Sequence, residues 1–509
     1  MKKGTLRKLL CLALSALMVL PLLTACGGGG GGGSKSGGDT ALVDGQLPDL
    51  DTSQEVEIVM YVVSDRPAGQ DVVDENLNRI LKEKLNCTLK INWIGWAEYA
   101  NKYPLLFGSG EEFDLAYCAT WLNFSDLARK GAFKNLNDLL PKYAPKNYAM
   151  QSQTALDQAT IDGELYAVPT LLATYTAYGA IYREDIAKEI SPTFEIKNWD
   201  DVETYCDFVK ANHPEMEPID EYSAGPELGF SYMKDQGYHY IDGSRYLWYD
   251  PAEAVPTVKA LYDYPEALDL LNMTRKWSDK GFWTKSALAD TDSQKISTGK
   301  AAIRFHNIDN FANFNAQHPE WGYGWCTFTK DVAHLPYTQD CLVVSNTSKN
   351  TARALAVWDL LTTDQEAYDA YMYGVLGTTY TLNDRGQYTI TDPDLYATGA
   401  CWAVRTNELN RDMDGVPETY DTIREEWESN IKAGQGTERF AGFVFDPTNV
   451  QTEVTACINV YQQYWWPLEL GYTDLETGLA DFQRNLEIAG VDKVIAEVQS
   501  QLNTYCETH

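Results

Sequence analysis

Between residues 56 and 93 the hydrophobic period changes twice, and that change restricts the fold more than any other feature of the sequence. Val56 to Val63 (VEIVMYVV) is apolar on both faces, as a strand covered by helices on both sides must be. After the polar loop Ser64 to Gln70, Val73, Leu77, Ile80, Leu81 and Leu85 recur at helical spacing among Asp, Glu, Asn and Lys. Leu89, Ile91 and Trp93 then alternate in a second strand. Together these make a βαβ unit, whose crossover is right-handed. Phe113 to Tyr117 reads as a third short strand, Ala301 to Phe305 and Cys341 to Ser345 as later ones, and Thr351 to Leu361 as a helix. The alternation predicts an α/β fold with a largely parallel sheet. Towards the end, Leu475, Leu479, Phe482 and Leu486 form one helical stripe, and Val491, Val494, Ile495, Val498 and Leu502 another beyond Gly490.

The N-terminus reads as an export signal. Lys2, Lys3, Arg7 and Lys8 precede an apolar run from Leu9 to Leu23 that is too short to cross a bilayer comfortably. Leu23-Thr24-Ala25-Cys26 resembles the lipobox of lipoprotein signal peptides, which makes residues 1–25 the signal and Cys26 the lipidation site. Seven glycines, Gly27 to Gly33, open a Gly/Ser-rich tether over 26–53 that cannot build a core. One lipid chain anchors weakly, so stable attachment calls for two or more acyl groups. The body from about residue 54 exceeds one ordinary core and predicts two lobes. Net charge is −32, and loss of the four signal-peptide cations leaves −36. Nucleic acid and anionic lipid surfaces are poor partners for such a chain, and the ligand is expected to be neutral or locally compensated. Eight cysteines remain in the body, with no CxxC spacing, and small buried hydrophobes are the default reading for them.

Several motifs occur in an order that resembles a known family. After the lipobox and the βαβ start come Phe107-Gly-Ser-Gly-Glu-Glu-Phe-Asp-Leu115, Ile161-Asp-Gly-Glu-Leu-Tyr-Ala-Val-Pro169 and the helix around Ala356-Val-Trp-Asp-Leu-Leu-Thr-Thr-Asp364. The chain resembles the family 1 extracellular solute-binding proteins of carbohydrate ABC importers. Gly442-Phe-Val-Phe-Asp446, Val450 to Tyr464 and Ala489 to Glu497 resemble the C-terminal DUF3502 region (about 440–505) of Gram-positive oligosaccharide-binding lipoproteins. One departure is the turn Gly374-Val-Leu-Gly377, where relatives commonly carry a carboxylate. The resemblance implies a periplasmic-binding-protein-like clamp of two α/β lobes with hinge crossovers. Lobe one is expected at 54–172 plus about 337–375, and lobe two at 173–336 plus about 376–509.

Ligands of open parallel sheets sit beyond the strand ends. A sugar there needs flat apolar faces and polar groups together. In lobe one, Asp65 and Arg66 supply polar groups and Trp96 and Trp121 aromatic faces, although either pair also suits a solvated turn or a plug under a loop. In lobe two, Arg304 and Asn307 can donate to hydroxyls, His306 reads equally as a structural histidine, and Tyr323 and Trp325 as a stacking wall or as packing. The stretch Tyr238 to Tyr264 lines the cleft or covers surface.

No nucleophile elbow, Walker loop or HExxH is present, and Asp412-Met-Asp-Gly415 lacks the distal Glu of a calcium loop. No metal, cofactor or catalytic residue is expected. The leading reading is a monomeric, lipid-anchored protein on the extracellular face of the membrane that captures a carbohydrate for ABC permease subunits. The alternatives are a lipoprotein glycoside hydrolase, whose two carboxyls a chain with 73 acidic residues does not exclude, and a peptide-binding or sensory lipoprotein.

Overall fold

The computed structural model describes residues 50–508, apart from 96–98, 224, 242, 293, 331, 394, 434–439 and 441. Cys26, the tether up to residue 49 and Trp96 lie outside the described residues. The strand Val56–Val63 pairs in parallel register with Cys87–Ile94 on one side and with Leu115–Cys118 on the other. Helix Gln70–Leu85 covers them with the expected stripe, burying Val73, Leu77, Ile80 and Leu81. The sheet continues through Cys341–Val344 to Ala167–Pro169. Cys341–Val344 runs antiparallel to both its neighbours. This corrects the expectation of a largely parallel sheet: a strand entering from the other lobe arrives in the opposite direction.

The second lobe has a four-stranded sheet in the order Tyr323–Thr327, Tyr178–Arg183, Ala301–Asn307, Glu217–Ile219. Only the pair Ala301–Asn307 with Glu217–Ile219 is parallel. The two C-terminal helices, Leu475–Ala489 and Val491–Thr508, bury Phe482, Leu486, Val491, Val494, Val498 and Leu502 in this lobe's core.

Two crossovers, 170–177 and 328–340, run side by side between the lobes. Thr176 N–H donates to Ala333 O (2.8 Å), and Leu335 N–H to Thr174 O (2.9 Å). A third passage follows Thr406, which bridges to Leu171. The first core does not end near residue 375. Tyr380, Tyr388, Ala400, Cys401 and Val404 are all buried in it, and Leu409 and Met413 pack against it. The Tyr373 and Tyr388 rings lie 4.4 Å apart and hold this excursion to lobe one. Seven of the body cysteines are buried and free, and Cys506 is half-buried and free.

Candidate functional site

A cavity of about 450 Å³ opens between the lobes beside the crossovers. Lobe one contributes Trp121 and Tyr99. Trp121 follows the strand Leu115–Cys118 on a short 3-10 turn, Thr120–Leu122, that turns the chain across the sheet's end. Its indole is half-buried and meets Tyr99 edge-on, with ring centroids 5.8 Å apart. At the floor, Thr120 Oγ1 donates to Gln339 Oε1 of the second crossover (3.1 Å), and Gln339 lines the cavity.

Lobe two faces these rings with Tyr178, Tyr240, Glu227, Lys234 and Arg245. Arg245 Nη1 donates to Glu227 Oε1 at 3.0 Å. Burial works against the Arg245 charge, but Glu227, with the Tyr178 and Tyr240 hydroxyls, holds its pKa above the ordinary arginine value. Lys234 lies on helix Leu228–Asp235 and is only 2 % exposed. Its ammonium donates to Thr176 O of the first crossover (2.9 Å) and sits over the Phe230 and Tyr240 rings at 5.1 and 5.5 Å. Burial, with the nearby Arg245 charge, pushes this lysine down to about 7. Near neutrality it is a donor that does not commit the cavity to a full extra charge. Flat aromatic faces beside convergent hydrogen-bonding groups suit a ligand with C–H faces and many hydroxyls.

Most of the other residues singled out in the sequence are not brought together here. Arg66 is exposed and engaged locally, with Nη2 2.5 Å from Asp71 and 3.8 Å from Asp74. Asp65 is exposed and its carboxylate lies against Gly95, 2.6 Å from where a Cβ would stand. Arg304 points inward: Nη2 meets Asp220 Oδ2 at 2.6 Å and the guanidinium lies over Tyr222. Asn307 caps helix Ile308–Gln317 by accepting from Asn310 N–H (3.2 Å). His306 Nδ1 pairs with the Asn310 amide (2.8 Å), and its ring stands 5.9 Å from Tyr178, so it backs the wall. Burial pushes its pKa below the ordinary histidine value. Trp325 donates to Thr327 Oγ1 (2.8 Å) and packs on Phe311, and Tyr323 is buried in the same core. Within Tyr238 to Tyr264, Tyr240 and Tyr246 line the cavity, while Trp248 is buried beneath it.

Another cavity, of about 210 Å³, lies between Tyr373, Tyr388 and Trp402 on one side and Asp309, Tyr420 and Arg424 on the other. Two of its guanidiniums are already committed, Arg405 to Asp340 (2.7 Å) and Arg411 to both oxygens of Asp369. In the 450 Å³ cavity the Trp121, Tyr99, Tyr178 and Tyr240 rings stand beside Lys234, Arg245 and Glu227, an arrangement that suits a ligand with both C–H faces and hydroxyls.

Residues 78–397, more than half of the chain, match the family model described as bacterial extracellular solute-binding protein. The chain belongs to the bacterial extracellular solute-binding proteins. Residues 439–507 of this solute-binding protein also match a domain of unknown function, DUF3502. A carbohydrate ABC transporter substrate-binding protein of Streptococcus pneumoniae serotype 4 is 23 % identical over 481 residues, 89 % of this chain and 92 % of that one. Its fold is similar to the N-glycan transport solute-binding protein of S. pneumoniae in complex with Man1GlcNAc, with a TM-score of 0.74, 20 % identity and 89 % and 100 % of the two chains covered. It is similar also to the S. pneumoniae ABC-transporter substrate-binding protein in complex with kestose (TM-score 0.59, 14 % identity, 90 % and 100 % covered). This is the two-lobe α/β clamp of solute-binding proteins, whose business is binding rather than catalysis.

Proposed function

We propose that this solute-binding protein captures an oligosaccharide between its lobes and delivers it to the permease of an ABC importer. The observation that carries the reading is the 450 Å³ cavity, with Trp121 and Tyr99 opposite Tyr178 and Tyr240 and hydrogen-bonding groups between them. The S. pneumoniae relatives support it, since their descriptions name carbohydrate transport, Man1GlcNAc and kestose. Titration calorimetry with a panel of mannose-rich N-glycan fragments and fructo-oligosaccharides tests it. Saturable binding of at least one member is expected, with a smaller radius of gyration in small-angle scattering at saturation, because the crossovers let the lobes close. Released monosaccharide after prolonged incubation would instead mark a glycosidase.

The body works at the membrane surface on a lipid carried by Cys26. The lipobox Leu23-Thr24-Ala25-Cys26 and the glycine tether behind it support this. Among the described residues no helix is long and apolar enough to cross a membrane. Cys26→Ala, expressed in a Gram-positive host, should lose incorporation of labelled fatty acid and either appear in the medium or keep its signal peptide. Undiminished labelling would move the attachment elsewhere.

A further inference from the structure

Residues 439–507 match a domain with no known role, yet part of this region forms the ligand cavity. It is built into the second core through Val454, Cys457, Trp465 and Phe482, and Tyr461, Gln462 and Trp466 line the cavity. The chain presents Tyr461 and Gln462 on a π-helical turn, Tyr461–Trp465, and Trp466 at the next residue, just before Pro467. Proline has no N–H to close an α-turn onto the carbonyl four residues back, and a widened turn accommodates that loss. Trp465 stays in the core, 1 % exposed, while its neighbour Trp466 faces the cavity. The Trp466 ring rests on the bare backbone of Gly225, whose φ of 101° and missing Cβ both suit glycine alone.

Glu469 fixes this wall in place. It is 2 % exposed. One carboxylate oxygen accepts from the Trp465 indole N–H (2.7 Å) and the other from the backbone N–H of Gly229 (2.8 Å). Gly229 lies in the first turn of helix Leu228–Asp235, which carries Lys234, and Glu227 immediately precedes that helix. A Cβ at Gly229 would strike the carboxylate, so glycine is what allows the approach. A single buried side chain therefore ties the C-terminal wall to the wall that holds the polar groups.

We propose that the C-terminal region is a stacking wall of the ligand cavity, and that Glu469 is the positioning residue that locks it to helix Leu228–Asp235. The proposal rests on the carbohydrate reading above. A neutral carboxyl keeps one good acceptor for two N–H donors, so protonation weakens the tie between the two walls. Burial, against the hydrogen bonds from Gly229 and Trp465, pushes Glu469 up to about 7, which puts that change within an accessible pH range. The charged and titratable groups facing it are the Glu227–Arg245 pair, Glu221 and Tyr461. Burial, with the Glu469, Asp220 and Glu227 charges, holds the Glu221 carboxyl well above the carboxylate range, and burial raises the Tyr461 phenol.

The sign differs between affinity and stability. Glycan affinity should be highest with the carboxylate ionised and fall as pH drops through about 7. The raised folded-state pKa means that this group's contribution to stability is present below its unfolded value of 4.5 and lost as pH rises through about 7. A residue that merely supported the fold would move both quantities together.

The test is the isosteric Glu469→Gln, titrated with the panel glycan that the natural protein binds most tightly. At pH 8 the variant should bind roughly 10-fold more weakly, since it loses a charge-assisted acceptor. Lys234 lines the same cavity and is also shifted to about 7, so the variant should keep that lysine's pH dependence and lose the further fall that brings the natural protein's affinity towards it by about pH 5.5. Trp466→Ala should weaken binding at both pH values without removing the pH dependence. A Gln variant with natural affinity and a natural pH profile overturns the proposal, as does a pH profile unchanged beside a lowered melting midpoint. If the natural protein binds no panel member, the carbohydrate reading fails instead. Near-UV circular dichroism of the tryptophans then tests Glu469 directly: a transition near pH 7 that Gln abolishes supports its role, and an identical signal in both proteins overturns it.

Discussion

Arg304→Met should lower stability by about 3 kcal/mol while leaving ligand affinity unchanged. Asp220 is 5 % exposed and Arg304 7 %, and their side chains meet at 2.6 Å. Removing one member of such a pair leaves the other charged in the interior, which typically costs about 3–5 kcal/mol. The lower end applies because Lys295 Nζ stays 3.8 Å from Asp220, and Ile296 N–H still donates to it (3.3 Å). Burial already raises the Asp220 pKa against the pull of Arg304 and Lys295, and losing Arg304 raises it further. A raised carboxyl gives stability that is present below the unfolded pKa and lost as pH rises. The deficit of the variant should therefore shrink on acidification towards about pH 4. Urea melts at two pH values, beside a glycan titration, read all three expectations. A variant of normal stability that no longer binds glycan would return Arg304 to the ligand site.

How far the sequence reached depended on whether a residue's role was set by its own neighbours in the chain. The first βαβ unit was legible because its apolar spacing changes period, and the structure shows helix Gln70–Leu85 burying the expected stripe. Trp121 was legible as a residue just past a strand end, and it does line the cavity. Strand direction was not legible, because Cys341–Val344 looks the same whether it runs parallel or antiparallel. Nor was the extent of lobe one, because Tyr380 and Tyr388 join it through tertiary contacts, among them the rings that meet Tyr373. Arg304 and Asn307 lie within the strand Ala301–Asn307, where Arg304 Nη2 is paired with Asp220 and the Asn307 side-chain oxygen caps the next helix. Lys234 was missed altogether. On helix Leu228–Asp235 it reads as a solvated lysine, and only the Thr176 carbonyl and the surrounding rings make it a buried donor. The aromatic run Tyr461-Gln-Gln-Tyr-Trp-Trp-Pro467 held a usable signal. It is denser in aromatic residues than one buried helix face needs, and it ends at a proline that breaks the α-helical ladder.

Trp121→Ala should weaken oligosaccharide binding roughly 5- to 30-fold with a smaller effect on stability than a core truncation. A pyranose face laid on the indole removes some tens of Å² of apolar surface from water. At about 25 cal/mol per Å² that contributes roughly 1–2 kcal/mol. The ring is half-buried rather than plugged into the core, and it lines the cavity between the lobes. A core aromatic truncated to alanine typically costs about 3–5 kcal/mol of stability. Calorimetric titration of the natural protein and Trp121→Ala with the same glycan, alongside a urea melt of each, tests the claim that sugar is held between the lobes. The account predicts a weakened titration and a melting midpoint close to natural; unchanged affinity, with or without a collapsed midpoint, would contradict it.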